Sequence, residues 1–330
     1  MENMKKQYNW GILGAGRIAD KFCTALIHTS NAALYALASR NVETGKAFAN
    51  KFNAPVYYDN YIDLVSDPNV DVIYIATPHV FHFEHTLLCL NHNKPVLCEK
   101  PMSISNQQTQ EMISIAQKKN LFLMEAMWTA CMPFIQKIKE IVGEGVIGSL
   151  QYVQADFGFS TPFDADSRLF NKALGGGSIL DVGVYPISLA TLLLGEPSSI
   201  KSVSALTETK VDAYSNAILQ YPNGATAHLF SAVTIETLIE ATIIGTKGRI
   251  QVASPWYMAT DFTIIFNDGT SQSYSFPHST NGFEYEIIEV MNCLDNGLLQ
   301  SPLVTHQQTL TVSKIMDELL KQAGVDYTIA

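Results

Sequence analysis

The sequence predicts an α/β protein in two parts, a doubly wound parallel sheet followed by an α+β domain built on a large, mostly antiparallel sheet. Three observations carry this. Between residues 8 and 125, apolar strand-length runs alternate with helix-length segments, the pattern of right-handed βαβ units. The first run passes directly into a glycine-rich turn that opens a helix. From residue 200 to 276 the chain turns into short alternating segments broken by YPNG, GTKG and NDGT, as in antiparallel hairpins. At 330 residues the chain exceeds what one core usually organises, and the texture changes after Glu125, so domains of residues 1–126 and 127–330 are expected.

The elements follow in order. Residues 8–13 form a strand, and Gly14-Ala15-Gly16-Arg17-Ile18-Ala19 opens a helix reaching about residue 28. This is the GxGxxG/A pattern of a Rossmann domain: glycines allow a tight turn, and the helix N-terminus offers its amides to a pyrophosphate. Gly14, Gly16, Arg17 and Ile18 are the candidate contacts. The next strand, residues 33–38, ends in Ser39-Arg40-Asn41 and leads into a helix over 42–52. An acidic residue here would hold a ribose 2′-hydroxyl. Ser39 and Arg40 instead offer a hydroxyl and a guanidinium, which suit a 2′-phosphate, so NADP is expected over NAD.

Asp59 and Asn60 cap a short helix over 61–65, residues 67–69 turn, and the apolar strand 72–76 follows. Ala76, Thr77, Pro78 and His79 are expected beside the nicotinamide half of the cofactor. After a helix over 81–91, the strand 95–98 carries Glu99, Lys100 and Pro101 at its carboxyl end, the edge where open parallel sheets bind ligands. A helix over 106–119 and a strand over 121–125 close the first domain. His79 and His82 are assigned cofactor-side or helix-capping roles, and His85 and His92 are expected to be solvent-exposed. HVFHFEH matches neither HExxH nor HxxEH, so no metal site is expected.

Beyond Glu125 come a helix over 135–142, a strand over 150–159 and a loop containing Asp164, Asp166 and Arg168. Gly175-Gly176-Gly177-Ser178 then starts a helix over 179–194, and two helices, 283–296 and 305–322, end the chain. Asp181 and Tyr185, four residues apart, project from one helix face. If that face looks at the end of the 94–101 segment, Lys100, Asp181 and Tyr185 converge. A lysine near a phenol lowers its pKa from about 10 toward neutrality, which a general acid/base for an alcohol–ketone couple needs.

A net charge of −10 without a basic stripe argues against a nucleic-acid partner, and 47% hydrophobic with 16% charged residues fits a large core. Five scattered cysteines without CxxC spacing suit a reducing compartment, so a cytoplasmic location is expected. No apolar run is expected to reach the roughly 20 residues of a membrane span.

LGAGRIA, ASR, VDVIYIATPHVFH, VLCEKPMS, EAMWT and GGGSILDVGVYP together resemble the glucose-fructose oxidoreductase/inositol dehydrogenase (GFO/IDH/MocA) family. EAMWT paired with a Tyr after LDVGV resembles its branch of dimeric dihydrodiol dehydrogenases and NADP-dependent D-xylose dehydrogenases. The resemblance runs from about residue 8 to the C-terminus. It implies a Rossmann domain and a second domain whose open-faced sheet makes a homodimer or homotetramer. It also implies NADP-dependent hydride transfer to or from a secondary alcohol or hemiacetal of a sugar, polyol or cyclic diol. Lys100, Asp181 and Tyr185 match the family's catalytic positions, and Pro101 would follow a cis peptide. Trp128 and Phe157 match the branch's aromatic substrate wall, with Phe283 and Arg168 as further candidates. Two residues depart from many members, which have Asn at His79 and His at Tyr185. A cofactor-binding sensor without turnover, and an enzyme that shuttles a tightly held cofactor between two sugars, remain open alternatives.

Overall fold

The computed structural model describes residues 6–327. Contacts group the chain into two compact units: the first comprises the chain up to Ser103, Gln107–Trp128 and His278–His306, and the second Ile104–Asn106, Thr129–Pro277 and the chain from Gln307 onward.

In the first unit, β1 (Tyr8–Leu13), α1 (Arg17–Leu26), β2 (Ala32–Ala38), α2 (Val42–Phe52), β3 (Val56–Tyr58), α3 (Tyr61–Ser66), β4 (Val72–Ile75), α4 (His82–Asn91), β5 (Val96–Glu99), α5 (Asn106–Lys119) and β6 (Leu123–Ala126) alternate. The six strands pair in the order β3-β2-β1-β4-β5-β6, all parallel. Strand order therefore reverses between β1 and β4, the switch point where a ligand crevice opens at the strand ends. β4, β5 and β6 are buried at every position, as strands covered on both faces must be. The three-residue β3 was not anticipated from the sequence.

The short α6 (Trp128–Cys131) leads to α7 (Pro133–Gly143) and β7 (Leu150–Gly158). The helix after the triple glycine opens as a π turn over Ile179–Gly183 before α8 (Val184–Leu194). Strands β8 (Ser199–Leu206), β9 (Asp212–Gln220), β10 (Thr226–Ala232), β11 (Ala241–Gly245), β12 (Gly248–Val252), β13 (Asp261–Phe266) and β14 (Ser271–Ser275) join β7 in the order β14-β13-β12-β11-β7-β10-β9-β8. Only β7 and β10 run parallel. On one face Ala217, Leu219, Ala227, Leu229, Val153 and Ile243 are buried, while Val203 and Ile218 on the other are 72% and 55% exposed.

The final helices are α9 (Glu284–Asp295) and α10 (His306–Ala323). The expected contiguous boundary after residue 126 leaves α9 in the second domain, whereas its contacts place it in the first unit. There the Tyr8 hydroxyl donates to Asp295 at 2.7 Å, Asn281 Nδ2 donates to the Lys21 carbonyl at 2.9 Å, and Phe283 meets Phe22 of α1 edge-on. The expectation about apolar length is also corrected: Lys172–Leu194 is long and apolar enough by composition to match a membrane span, but 72% of its most apolar 18-residue stretch is buried within the protein.

Candidate functional site

The glycine turn between β1 and α1 has the geometry a pyrophosphate requires. Gly14 has φ +106°, its amide donates to the Ala38 carbonyl at 2.9 Å, and a Cβ there would stand 3.1 Å from the Ala76 carbonyl oxygen. Only glycine fits both the dihedral and the gap. Gly16 and Arg17 are exposed at the start of α1, whose first amides lack intrahelical acceptors. At the end of β2, Ser39 is buried, its hydroxyl donating to the Asn41 carbonyl at 3.1 Å. The exposed Arg40 holds its guanidinium carbon 5.3 Å from the Phe81 ring centre and 5.9 Å from that of Tyr61. A fixed cation beside a glycine turn and a helix N-terminus fits a phosphorylated dinucleotide.

The β4 and β5 ends are tied together by one imidazole. His82 lies fully buried with Nε2 2.8 Å from the Thr77 carbonyl oxygen and Nδ1 2.8 Å from that of Pro101. Burial, with the nearby Lys100 cation adding, holds its pKa down to about 4, opposed by the two carbonyl contacts, each of which takes an N–H from the ring. His79 is buried with its ring 6.4 Å from that of His82. His85, expected to be exposed, is buried: Thr77 Oγ1 lies 2.9 Å from its Nδ1, and Tyr61 and Phe81 flank its ring. It completes the inward face of α4, where the sequence pattern had suggested a solvated position.

Glu99 and Lys100 close β5, and the Lys100–Pro101 peptide is cis, as the resemblance implied. Glu99 is buried, accepting from the Tyr74 hydroxyl and, at 3.1 Å, from the Lys100 backbone amide. Burial pushes its pKa up to about 7 despite the Lys100 charge. Glu286 of α9 is fully buried, and neither of its carboxyl oxygens has a hydrogen-bond partner among the described residues. Burial and the charge of Glu99 raise its pKa well above the carboxylate range. Trp128 and Phe283 stack at 4.4 Å, and Phe283 is only 2% exposed, so its visible role is packing. The first unit thus gathers Gly14, Gly16, Arg17, Ile18, Ser39, Arg40, Ala76, Thr77, Pro78, His79, His82, Glu99 and Lys100 on β1, β2, β4 and β5 and the segments leaving their carboxyl ends.

Asp181 and Tyr185 belong to the second unit. Arg168 Nη1 donates to Asp181 Oδ1 at 2.8 Å. The buried Tyr185 ring lies 5.3 Å from Phe157 and 5.3 Å from Tyr257, and Phe157 stacks on Tyr257 at 4.3 Å. Tyr257 was not singled out from the sequence, since a Tyr after a buried Trp carries no local signal. Asp212, also unforeseen, is buried in β9, where Oδ2 accepts from Ser178 Oγ and from the Ile179 amide, each at 2.7 Å. Burial pushes its carboxyl up to about 6.

The first unit is therefore a dinucleotide-binding domain of the kind that serves hydride transfer. Residues 8–127 match the GFO/IDH/MocA family described as an oxidoreductase family with an NAD-binding Rossmann fold, and residues 135–251 match the GFO/IDH/MocA C-terminal domain. The chain belongs to this family of oxidoreductases. It is 37% identical to a trans-1,2-dihydrobenzene-1,2-diol dehydrogenase from Xenopus tropicalis, covering 96% of this chain and 98% of that protein. Among solved structures, a 3-ketoreductase from Actinomadura kijaniata, in complex with NADP and TDP-benzene, is 25% identical with a TM-score of 0.84, covering 96% of this chain and 98% of that one. An aldose-aldose oxidoreductase from Caulobacter crescentus shares the fold at a TM-score of 0.87 and 24% identity, covering 97% and 98%.

Proposed function

We propose that this protein is an NADP-dependent dehydrogenase that oxidises a secondary alcohol or hemiacetal of a cyclic diol, sugar or polyol, or reduces the corresponding carbonyl. The observation that carries this is the likeness over 96% of the chain to a trans-dihydrodiol dehydrogenase. The glycine turn and Arg40 would hold the nucleotide, whose nicotinamide, when bound, accepts or supplies the hydride. Tyr185 would carry the substrate hydroxyl proton, Lys100 would orient the nicotinamide ribose and the substrate hydroxyl, and Asp181 would position the substrate or Tyr185. Phe157 and Trp128 supply apolar surface against the substrate ring.

We further infer a homodimer or homotetramer formed through the open sheet face that displays Val203, Ile218 and Phe230, in a reducing, cytoplasmic compartment. Five free, buried cysteines support the second point.

The test is turnover of trans-1,2-dihydrobenzene-1,2-diol, aldoses and polyols with NADP and with NAD, followed by nicotinamide absorbance. Turnover preferring NADP supports the proposal. Nucleotide binding without turnover on any substrate, in either direction, points to a sensor and overturns it. Nucleotide already bound after purification, released only by denaturation, supports the two-sugar shuttle instead.

A further inference from the structure

The glycine turn that starts the Asp181 and Tyr185 helix is gripped from four directions. Asp212 of β9 accepts from Ser178 Oγ and the Ile179 amide at 2.7 Å, capping the π turn with a side chain from outside the helix. Ser231 of β10 lies 3.0 Å from Ser178 Oγ. The Gly177 amide donates to the Leu169 carbonyl at 2.8 Å, and the Gly176 amide to that of Asn171 at 3.0 Å, in the loop that also carries Arg168. From the far end of the chain, the Tyr327 hydroxyl donates to the Gly176 carbonyl.

The packing leaves no slack. Gly177 has φ +111°, and a Cβ on it would stand 2.2 Å from Asp212 Oδ1. Asp212 and Tyr327 are 0% and 8% exposed, so neither bond exchanges readily with water. A helix start without such partners would leave buried amides and hydroxyls unsatisfied. The clamp therefore fixes where the π turn begins, and with it the direction in which Asp181, two residues past Ile179, leaves the helix.

We propose that Asp212 and Tyr327 are positioning residues for the reaction, locking the glycine turn so that the helix start presents Asp181 and Tyr185 in one orientation. The proposal rests on the reading of Tyr185 as the proton carrier. Neither residue touches the reacting atoms; Tyr327 acts through the Gly176 carbonyl, and Asp212 through the Ser178 hydroxyl and the Ile179 amide.

Three variants test it: Tyr327→Phe, Asp212→Asn and Asp212→Ala. Each is followed by kcat and KM for trans-1,2-dihydrobenzene-1,2-diol, by NADP affinity, and by hydrogen exchange of peptides covering residues 170–190. The expected result for Tyr327→Phe is a kcat lower by roughly 10-fold or more, since small misplacement of reacting groups costs up to about 100-fold. NADP affinity stays unchanged, and exchange rises only around the glycine turn. Asp212→Ala should lose more, and Asp212→Asn, which keeps an acceptor for the Ile179 amide, should recover part of the loss. Unchanged local exchange in Tyr327→Phe and Asp212→Ala, or raised exchange with wild-type kcat, overturns the positioning role. Should the wild-type protein turn over no substrate, the functional reading fails, and the exchange result alone decides whether the clamp exists.

Discussion

Arg168 donates from Nη1 to Asp181 Oδ1 at 2.8 Å, joining the loop after β7 to the π turn that precedes α8. The two side chains are 39% and 14% exposed, so the pair adds at most about 1 kcal/mol to stability. Its consequence is orientation of the Asp181 carboxylate. Arg168→Ala should lower kcat/KM by roughly 10-fold while leaving the thermal midpoint nearly unchanged. A double-mutant cycle with Asp181→Asn checks the coupling: the double variant should be no worse than the poorer single one. Independent, multiplying losses would show that Arg168 acts elsewhere.

The Arg40 guanidinium rests near the Phe81 and Tyr61 rings at the end of β2. If it reads a 2′-phosphate, Arg40→Ala weakens NADP by roughly 10-fold or more, the scale of a lost charge-assisted hydrogen bond of about 1.5–3 kcal/mol. NAD affinity should barely change. Titration calorimetry with both nucleotides decides it, and an equal loss for each removes Arg40 from phosphate recognition.

His82 links β4 to β5 with its pKa lowered to about 4, mainly by burial. The unfolded chain takes up the proton near the ordinary value of about 6.5, so it binds more protons than the folded state between these limits. Stability from this group is complete above about pH 6.5 and is lost as pH falls to about 4, by up to about 3 kcal/mol. Urea unfolding at pH 7.5 and 4.5 should therefore show a smaller acid loss for His82→Gln than for the wild type. Equal losses would place the acid sensitivity in other groups.

Glu286 works in the opposite sense. Its folded pKa is raised by burial and by Glu99, whereas in the unfolded chain it ionises near the ordinary carboxylate value. The folded state then binds the extra proton, and stability falls as pH rises above about 4.5, by up to about 1.4 kcal/mol per pH unit. Glu286→Gln, which mimics the protonated acid, should be more stable than the wild type at pH 8, with the gap shrinking toward pH 5. A variant less stable than the wild type at pH 8 would mean that the carboxylate has a partner in the folded protein.

The first unit was legible because its signals are local. A glycine turn after an apolar strand, a hydroxyl–guanidinium pair at the next strand end, and Glu-Lys-Pro closing β5 each report their own place in a doubly wound sheet. What escaped depends on distance. Nothing within residues 278–306 announces that α9 packs against α1. Alternation along β7 and β10 is the same whether they run parallel or antiparallel. An i, i+4 spacing does not distinguish an α turn from the π turn over Ile179–Gly183, and His85 looks polar until Tyr61 and Phe81 close over it. Asp212, Tyr257 and Tyr327 matter through partners 33 to 151 residues away, so sequence spacing could not single them out.

The proposed roles of Tyr185 as proton carrier and Lys100 as the group that orients the substrate hydroxyl are tested by Lys100→Met and Tyr185→Phe. Steady-state kcat is measured with NADP on a substrate the wild type turns over, alongside NADP affinity by fluorescence titration. Each variant should still bind NADP but lose at least roughly 100-fold in kcat, the low end for lost acid–base catalysis. Wild-type kcat in both variants would contradict these roles.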